Sequence, residues 1–181
     1  MAKYNEAIQI ILNNEGGYQK HPSDRGNYNS RGILVGTKYG ISAKTLERWK
    51  GYPVRESDMK NLSLLEAEEI YHVYYWLPIK GNQITDQDTA EIIFDHAVNA
   101  GVGGASKIVQ QVLNSFGAKL RVDGEIGDQT LYVLNVADQG RFFDAFKNER
   151  LNYYRSISSG SNAVFSTGWI KRVMSFKKKK W

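Results

Sequence analysis

Residues 4–18 read YNEAIQIILNNEGGY. Tyr4, Ala7, Ile8, Ile11 and Leu12 fall at i, i+3, i+4, i+7 and i+8, the single apolar stripe of an amphipathic helix. The spacing predicts a helix over residues 3–15, which Gly16-Gly17 stops. At about 100° per residue, Glu15 lies within about 20° of Tyr4 and Ile8 on the helical wheel and so projects from the apolar face. A carboxylate in that place has two readings. It is paired with a buried arginine, or it is held protonated, because burial and the negative end of the helix dipole both disfavour its charged form. A glutamic acid that keeps its proton near neutral pH is what glycoside hydrolysis asks of the donor to the leaving oxygen.

Outward from Gly17 the helical period is lost. Pro22, Asn27, Asn29, Ser30 and repeated glycines make residues 18–40 a loop, with a short hairpin expected around Gly32 to Tyr39. Asp24 sits there in a polar, glycine-flanked setting, opposite in character to that of Glu15. An ionised aspartate beside a protonated glutamate divides base and acid roles. Ser23-Asp24-Arg25-Gly26 also suits a plain turn in which Asp24 bonds its own backbone. Thr37 and Tyr39, in GTKYG, offer hydroxyls to hold an attacking water or a substrate.

The remainder is read as helical, giving a mainly α fold with strand candidates confined to about 31–41. Ser42 predicts an N-cap for a helix ending at Gly51. Ser63-Leu64-Leu65-Glu66 fits a capping box opening a helix with Leu65, Ile70, Tyr71, Tyr74 and Leu77 on its apolar side, stopped by Pro78. Further helices are expected over about 87–100, 105–116, 129–137 and 141–157, and a short one over 168–173 after a turn-like 158–167. Asp95 and Asn99, four apart on one helix, share a face. They either reach sugar hydroxyls from a cleft floor or bridge neighbouring helices. Among the aromatics, Tyr74 reads as core, while Trp76 suits core or sugar stacking equally. Asp123 to Asp128 lacks the alternating ligands of a calcium loop and reads as a tight turn.

Composition narrows the function classes. The formal net charge is +5, but Lys177 to Lys180 supply four of these charges, leaving the body near +1 (5 − 4). A nearly neutral body disfavours a nucleic-acid partner. The lysine tail, residues 177–181, reads as a solvated end or as an attraction to an anionic envelope with Trp181 as its anchor. There is no cysteine, so thiolate metal sites and disulfides are excluded. His21, His72 and His96 have no zinc-site spacing, and no metal or cofactor is expected. No run approaches a membrane span, and the N-terminus lacks an apolar signal region. Cytoplasmic synthesis as a monomer, with release or export helped by a holin or similar protein, is the expectation.

Three motifs in order, EGGY (15–18), HPSDRG (21–26) and TKYGIS (37–42), resemble the opening of the phage-type N-acetylmuramidases of glycoside hydrolase family 108. That family includes phage endolysins and secretion activators. The likeness continues through Phe94-Asp95, Val98 to Gly101, Val122-Asp123-Gly124, Arg150, Tyr153-Tyr154, Gly168-Trp169 and Arg172-Val173, which resemble the family's peptidoglycan-domain portion. It implies a lysozyme-like, bilobed, mainly α fold with a hairpin or loop lip at an active-site cleft. Residues 1–85 would form a catalytic lobe and 86–176 a helical peptidoglycan-binding lobe, packed as one body.

The implied activity is hydrolysis of the bond between N-acetylmuramic acid and N-acetylglucosamine in peptidoglycan. Its site residues would be Glu15 as acid, Asp24 and Thr37 at the water, and Tyr39, Asp95 and Asn99 at the substrate. Residues Asn27 to Gly36 stand between Asp24 and Thr37 like an insertion relative to the family, and are read as a mobile lip. A non-catalytic peptidoglycan-binding or secretion-accessory protein on the same fold is the alternative.

Overall fold

The N-terminal helix runs from Tyr4 to Asn14 (α1). Ala7, Ile8 and Ile11 are buried along the expected stripe. The computed structural model describes residues 1–14, 16–158 and 163–179. Glu15 lies outside these described residues, as do residues 159–162 and Lys180 and Trp181.

Packing divides the chain into two units, one comprising Ile8–Tyr74 and the other Met1–Ala7 with Tyr75–Trp181. The first unit contains α2 (Ala43–Lys50), α3 (Glu56–Asn61) and α4 (Leu64–Tyr71). Ser42 caps α2 by accepting from the Thr45 N–H, and Gly51 ends it in the left-handed conformation at φ 79°, where a side chain would be strained. Helix α3 has no counterpart in the sequence reading. Its six residues are too few to show a period, and its only start signal is the Asp58 carboxylate accepting from the Arg55 N–H at 2.7 Å.

At α4 only half of the expected capping box forms. Ser63 accepts from the Glu66 N–H at 3.1 Å, but the Glu66 carboxylate turns to Trp49 Nε1 and Lys50 Nζ. Beyond Tyr71 the helix widens into a π-helical turn, His72–Trp76. Widening breaks the 3.6-residue register, so Leu77 is 46% exposed instead of joining the apolar side; Leu65, ahead of the widening in the first turn of α4, is also off the apolar side, at 75% exposed.

The second unit is a cluster of helices, α5 (Gln87–Ala100), α6 (Val102–Ser115), α7 (Asp128–Val136), α8 (Gln139–Ile157) and α9 (Ala163–Ser175). Every residue from Asp88 to Ala97 is buried, marking α5 as the central helix of the cluster. Asp86 caps its start and Gly101, at φ 85°, closes it. Helix α9 begins five residues before the expected 168, because Ala163 to Thr167 are helical instead of turn-like.

Trp76 is core, fully buried, with Nε1 donating to Asn82 Oδ1 at 2.7 Å. Gly81 lies so close that a Cβ there would come within 2.3 Å of the indole. Tyr74 is half-buried, edge-on to Trp49 and under the Arg48 guanidinium. The turn at Asp123 is held by Gln110, which donates to Asp123 Oδ1 and Glu125 O and accepts from Gly124 N.

The lysine tail corrects an expectation. Phe176 is buried, Lys178 bonds Asp86 and Asp88, and the Lys179 N–H donates to Asp88 at 2.8 Å. Up to Lys179 the tail is therefore docked on the N-terminal end of α5. The Asp86 and Asp88 carboxylates are largely shielded from water, where unlike charges attract more strongly than when both are fully solvated.

Candidate active site

Residues 18–41 form a loop that folds back on itself through isolated antiparallel bridges, Gln19 with Thr37, Tyr28 with Leu34, and Lys38 with Ile41. No continuous strand forms among the described residues. The hairpin turn is centred on 29–33 instead of beginning at Gly32, and one bridging residue, Gln19, lies well before the expected strand region. Gly36 makes the close approach possible. At φ 95°, a Cβ there would meet the Tyr18 ring at 2.6 Å and the Gln19 carbonyl oxygen at 2.7 Å.

This backbone pairing brings Asp24 and Thr37 into one hydrogen-bond network, although 13 residues separate them in sequence. Gln19 Nε2 donates to Asp24 Oδ2 and to Asn27 Oδ1, both at 3.0 Å. Asn27 Nδ2 donates to Gln19 Oε1 and to the His21 carbonyl, both at 2.9 Å, and the Thr37 hydroxyl donates to Asn27 Oδ1. Asp24 also caps a short 3₁₀ turn, its Oδ1 accepting from Gly26 N at 2.8 Å. The turn role and the network role are thus held by different oxygens of one exposed carboxylate. Gln19 and Asn27 were not foreseen, since no periodicity marks them and only the 19–37 pairing places them together.

The stretch Asn27 to Gly36 is anchored by buried side chains instead of standing off as a free lip. Asn27, Asn29 and Val35 are buried. Asn29 Oδ1 accepts from the Arg31 and Ile33 amides, and its Nδ2 donates to the Val54 carbonyl at 2.9 Å. A loop whose polar groups are buried and satisfied is part of the folded framework, so shortening it would strike folding as well as substrate handling. Tyr39 has φ 52°, and its carbonyl accepts from the Tyr71 hydroxyl at 2.9 Å. Glu56 draws together Lys20, Lys60 and Tyr18. These bonds, Lys20's first, hold its carboxyl down at about 2.

Asp95 and Asn99 belong to the other packing unit. Asp95 is fully buried on α5, and both its oxygens are engaged. Oδ2 accepts from Arg150 Nη2 at 2.6 Å and Oδ1 from Arg172 Nε at 2.8 Å. Of the two readings the bridging one is observed: the carboxylate ties α5 to α8 and α9 and presents no lone pair to a sugar. Asn99 is exposed and donates to the Asp95 backbone carbonyl at 2.6 Å.

Beside this triad His96 is fully buried with neither ring nitrogen hydrogen-bonded, edge-on to Phe146, Tyr153 and Tyr154. Burial, aided by the Arg150 charge, pulls its pKa down from 6.5 to about 3. The unfolded chain therefore takes up a proton as pH falls below about 6.5, and the folded protein does not until about 3, so stability declines across that window. His96→Phe, which keeps the aromatic edges and removes the titration, is expected to flatten the fall in thermal midpoint between pH 7 and pH 4. An unchanged slope would mean other groups govern it.

Among the described residues no cluster of three or more His, Asp or Glu side chains is arranged to hold a metal ion, and no helix is long and apolar enough to cross a membrane. Comparison with known proteins adds the class of chemistry. A model described as Glycosyl hydrolase 108 matches residues 8–101, just over half the chain, and a second, described as Predicted Peptidoglycan domain, matches residues 104–174. No curated protein matches significantly. Among solved structures, SagA of Brucella abortus is similar, with a TM-score of 0.79 and 28% identity over 94% of this chain and 89% of that one. The mainly α, lysozyme-like fold implied by the sequence is the fold observed. The chain belongs to glycosyl hydrolase family 108, with a peptidoglycan-domain portion following its hydrolase portion.

Proposed function

We propose that this protein is a muramidase of endolysin type, cleaving between N-acetylmuramic acid and N-acetylglucosamine with Glu15 as general acid. The observation that carries the reading is the Gln19–Asn27 amide pair, which holds the Asp24 carboxylate and the Thr37 hydroxyl in one network. That network begins four residues after Glu15.

Its polarity suits an attacking water. The Thr37 hydroxyl already donates its hydrogen bond to Asn27, so its oxygen is left to accept from a water. Asp24, an exposed acceptor, takes the water's other proton, and the oxygen lone pair is directed outward. Glu15 protonates the departing sugar oxygen. Tyr39, in the same loop as Thr37, is the substrate contact retained from the sequence reading.

Asp24→Asn and Thr37→Val are expected to lower turnover on purified cell wall by about 10- to 100-fold with a smaller change in KM, because each touches the water and not the bound glycan. Dye release from labelled wall gives both constants. Full turnover in both variants would remove Asp24 and Thr37 from the reaction.

A further inference from the structure

The first packing unit carries a second feature that the water network does not use. An open groove of about 590 Å³ runs between the 29–35 loop and residues 52–58, a volume within the usual range of ligand sites. Its walls are braced in advance. The Glu47 carboxylate accepts from the Ser30 amide and hydroxyl on one side and from the Val54 amide on the other, and Asn29 bonds the Val54 carbonyl across the same gap.

The lining combines apolar and cationic groups. Ile33 is 55% and Tyr52 48% exposed. Arg31 and Arg55 both line the groove, and neither guanidinium has an ion-pair partner among the described residues. The two carboxylates in the lining are already engaged, Glu56 with Lys20 and Lys60, and Asp58 with the Arg55 N–H. The lining's two arginines and two carboxylates balance in formal charge, but with the carboxylates engaged the guanidiniums are the groups left to meet a ligand's charge. Glu56 also joins it to Tyr18 and Lys20, the residues just ahead of Asp24.

Two unpaired arginine forks beside a tyrosine face and an isoleucine suit a ligand that presents carboxylates on short apolar residues. A glycan strand of peptidoglycan is largely neutral, since its lactyl groups are amide-linked. Its carboxylates are carried by the peptide stems, which are rich in alanine. We propose that this groove binds the peptide stem of peptidoglycan, with Arg31 and Arg55 on its carboxylates and Tyr52 and Ile33 against its methyl groups. The choice of polymer rests on the muramidase reading.

The test is calorimetric titration of the full chain with soluble disaccharide-tetrapeptide, with the same molecule after amidation of its carboxylates, with the peptide-free disaccharide carrying its lactyl carboxyl as the amide, and with poly(glycerol phosphate). Arg31→Gln/Arg55→Gln is expected to weaken disaccharide-tetrapeptide binding by about tenfold or more. Amidation of the ligand should weaken binding to the unaltered chain as much and bring no further loss in the double variant. Arg31→Lys/Arg55→Lys, which keeps charge without the fork, should fall between. Both arginines are exposed, so the thermal midpoint should not move.

Equal binding by the double variant overturns the proposal. So does an equal loss toward the peptide-free disaccharide, or arginine-dependent binding of the poly(glycerol phosphate) in place of the peptide. Binding needs no bond cleavage, so arginine-dependent stem binding without release of new reducing ends would uphold the groove and refute the hydrolase reading.

Discussion

Glu15→Gln is expected to reduce wall lysis by several orders of magnitude while leaving glycan binding in place. The amide keeps the shape and the hydrogen-bonding capacity of the carboxyl but has no proton to transfer, so only the step that protonates the leaving oxygen is lost. Turbidity clearance and wall pull-down on the same variant separate the two effects. The competing reading of Glu15, a buried partner for an arginine, makes a different forecast. Removing it would strand a cation and destabilise the fold by roughly 3–5 kcal/mol. A destabilised Glu15→Gln protein that still clears cell walls would end the assignment of Glu15 as the acid.

Asp95→Ala is expected to destabilise the protein by roughly 3–5 kcal/mol, because it leaves the Arg150 guanidinium buried without its counter-charge. Arg150 is fully buried, and its bond to the Ile92 carbonyl is long at 3.3 Å. Replacing all three members, as Asp95→Leu/Arg150→Met/Arg172→Leu, should recover much of the loss, since no charge is then left in the low-dielectric interior. Chemical denaturation measures both. A cost below about 1 kcal/mol for Asp95→Ala, the scale of a surface change, together with weakened wall binding, would return Asp95 to the substrate.

The fold was largely legible because its signals are local. The α1 stripe, the caps at Ser42 and Ser63, and the glycine at 51 each act within a turn or two of helix. What escaped depends on pairing across sequence distance. Helix α3 is too short to show a period, the π-turn at His72–Trp76 shifts a register that the pattern assumes constant, and the tail's lysines find Asp86 and Asp88 some 90 residues away.

The same division holds at the site. Asp24 and Thr37 stand out by residue type and setting, whereas Gln19 and Asn27, which join them, are ordinary amides until the chain folds back. Asp95 misled because helical spacing puts it on one face with Asn99 without saying which helices cover that face. Asn27 to Gly36 reads as mobile from its glycines and asparagines, yet asparagine also satisfies buried backbone groups, as Asn29 does here.

The central claim, hydrolysis at the muramic acid linkage by Glu15, is tested most directly by the chemistry of the new chain ends. Digested wall is reduced with borohydride, hydrolysed to its sugars, and the alditols are identified. The unaltered protein is predicted to yield muramitol, with none above background from Glu15→Gln. Glucosaminitol in its place, no new alditol at all, or equal muramitol from both proteins would contradict it.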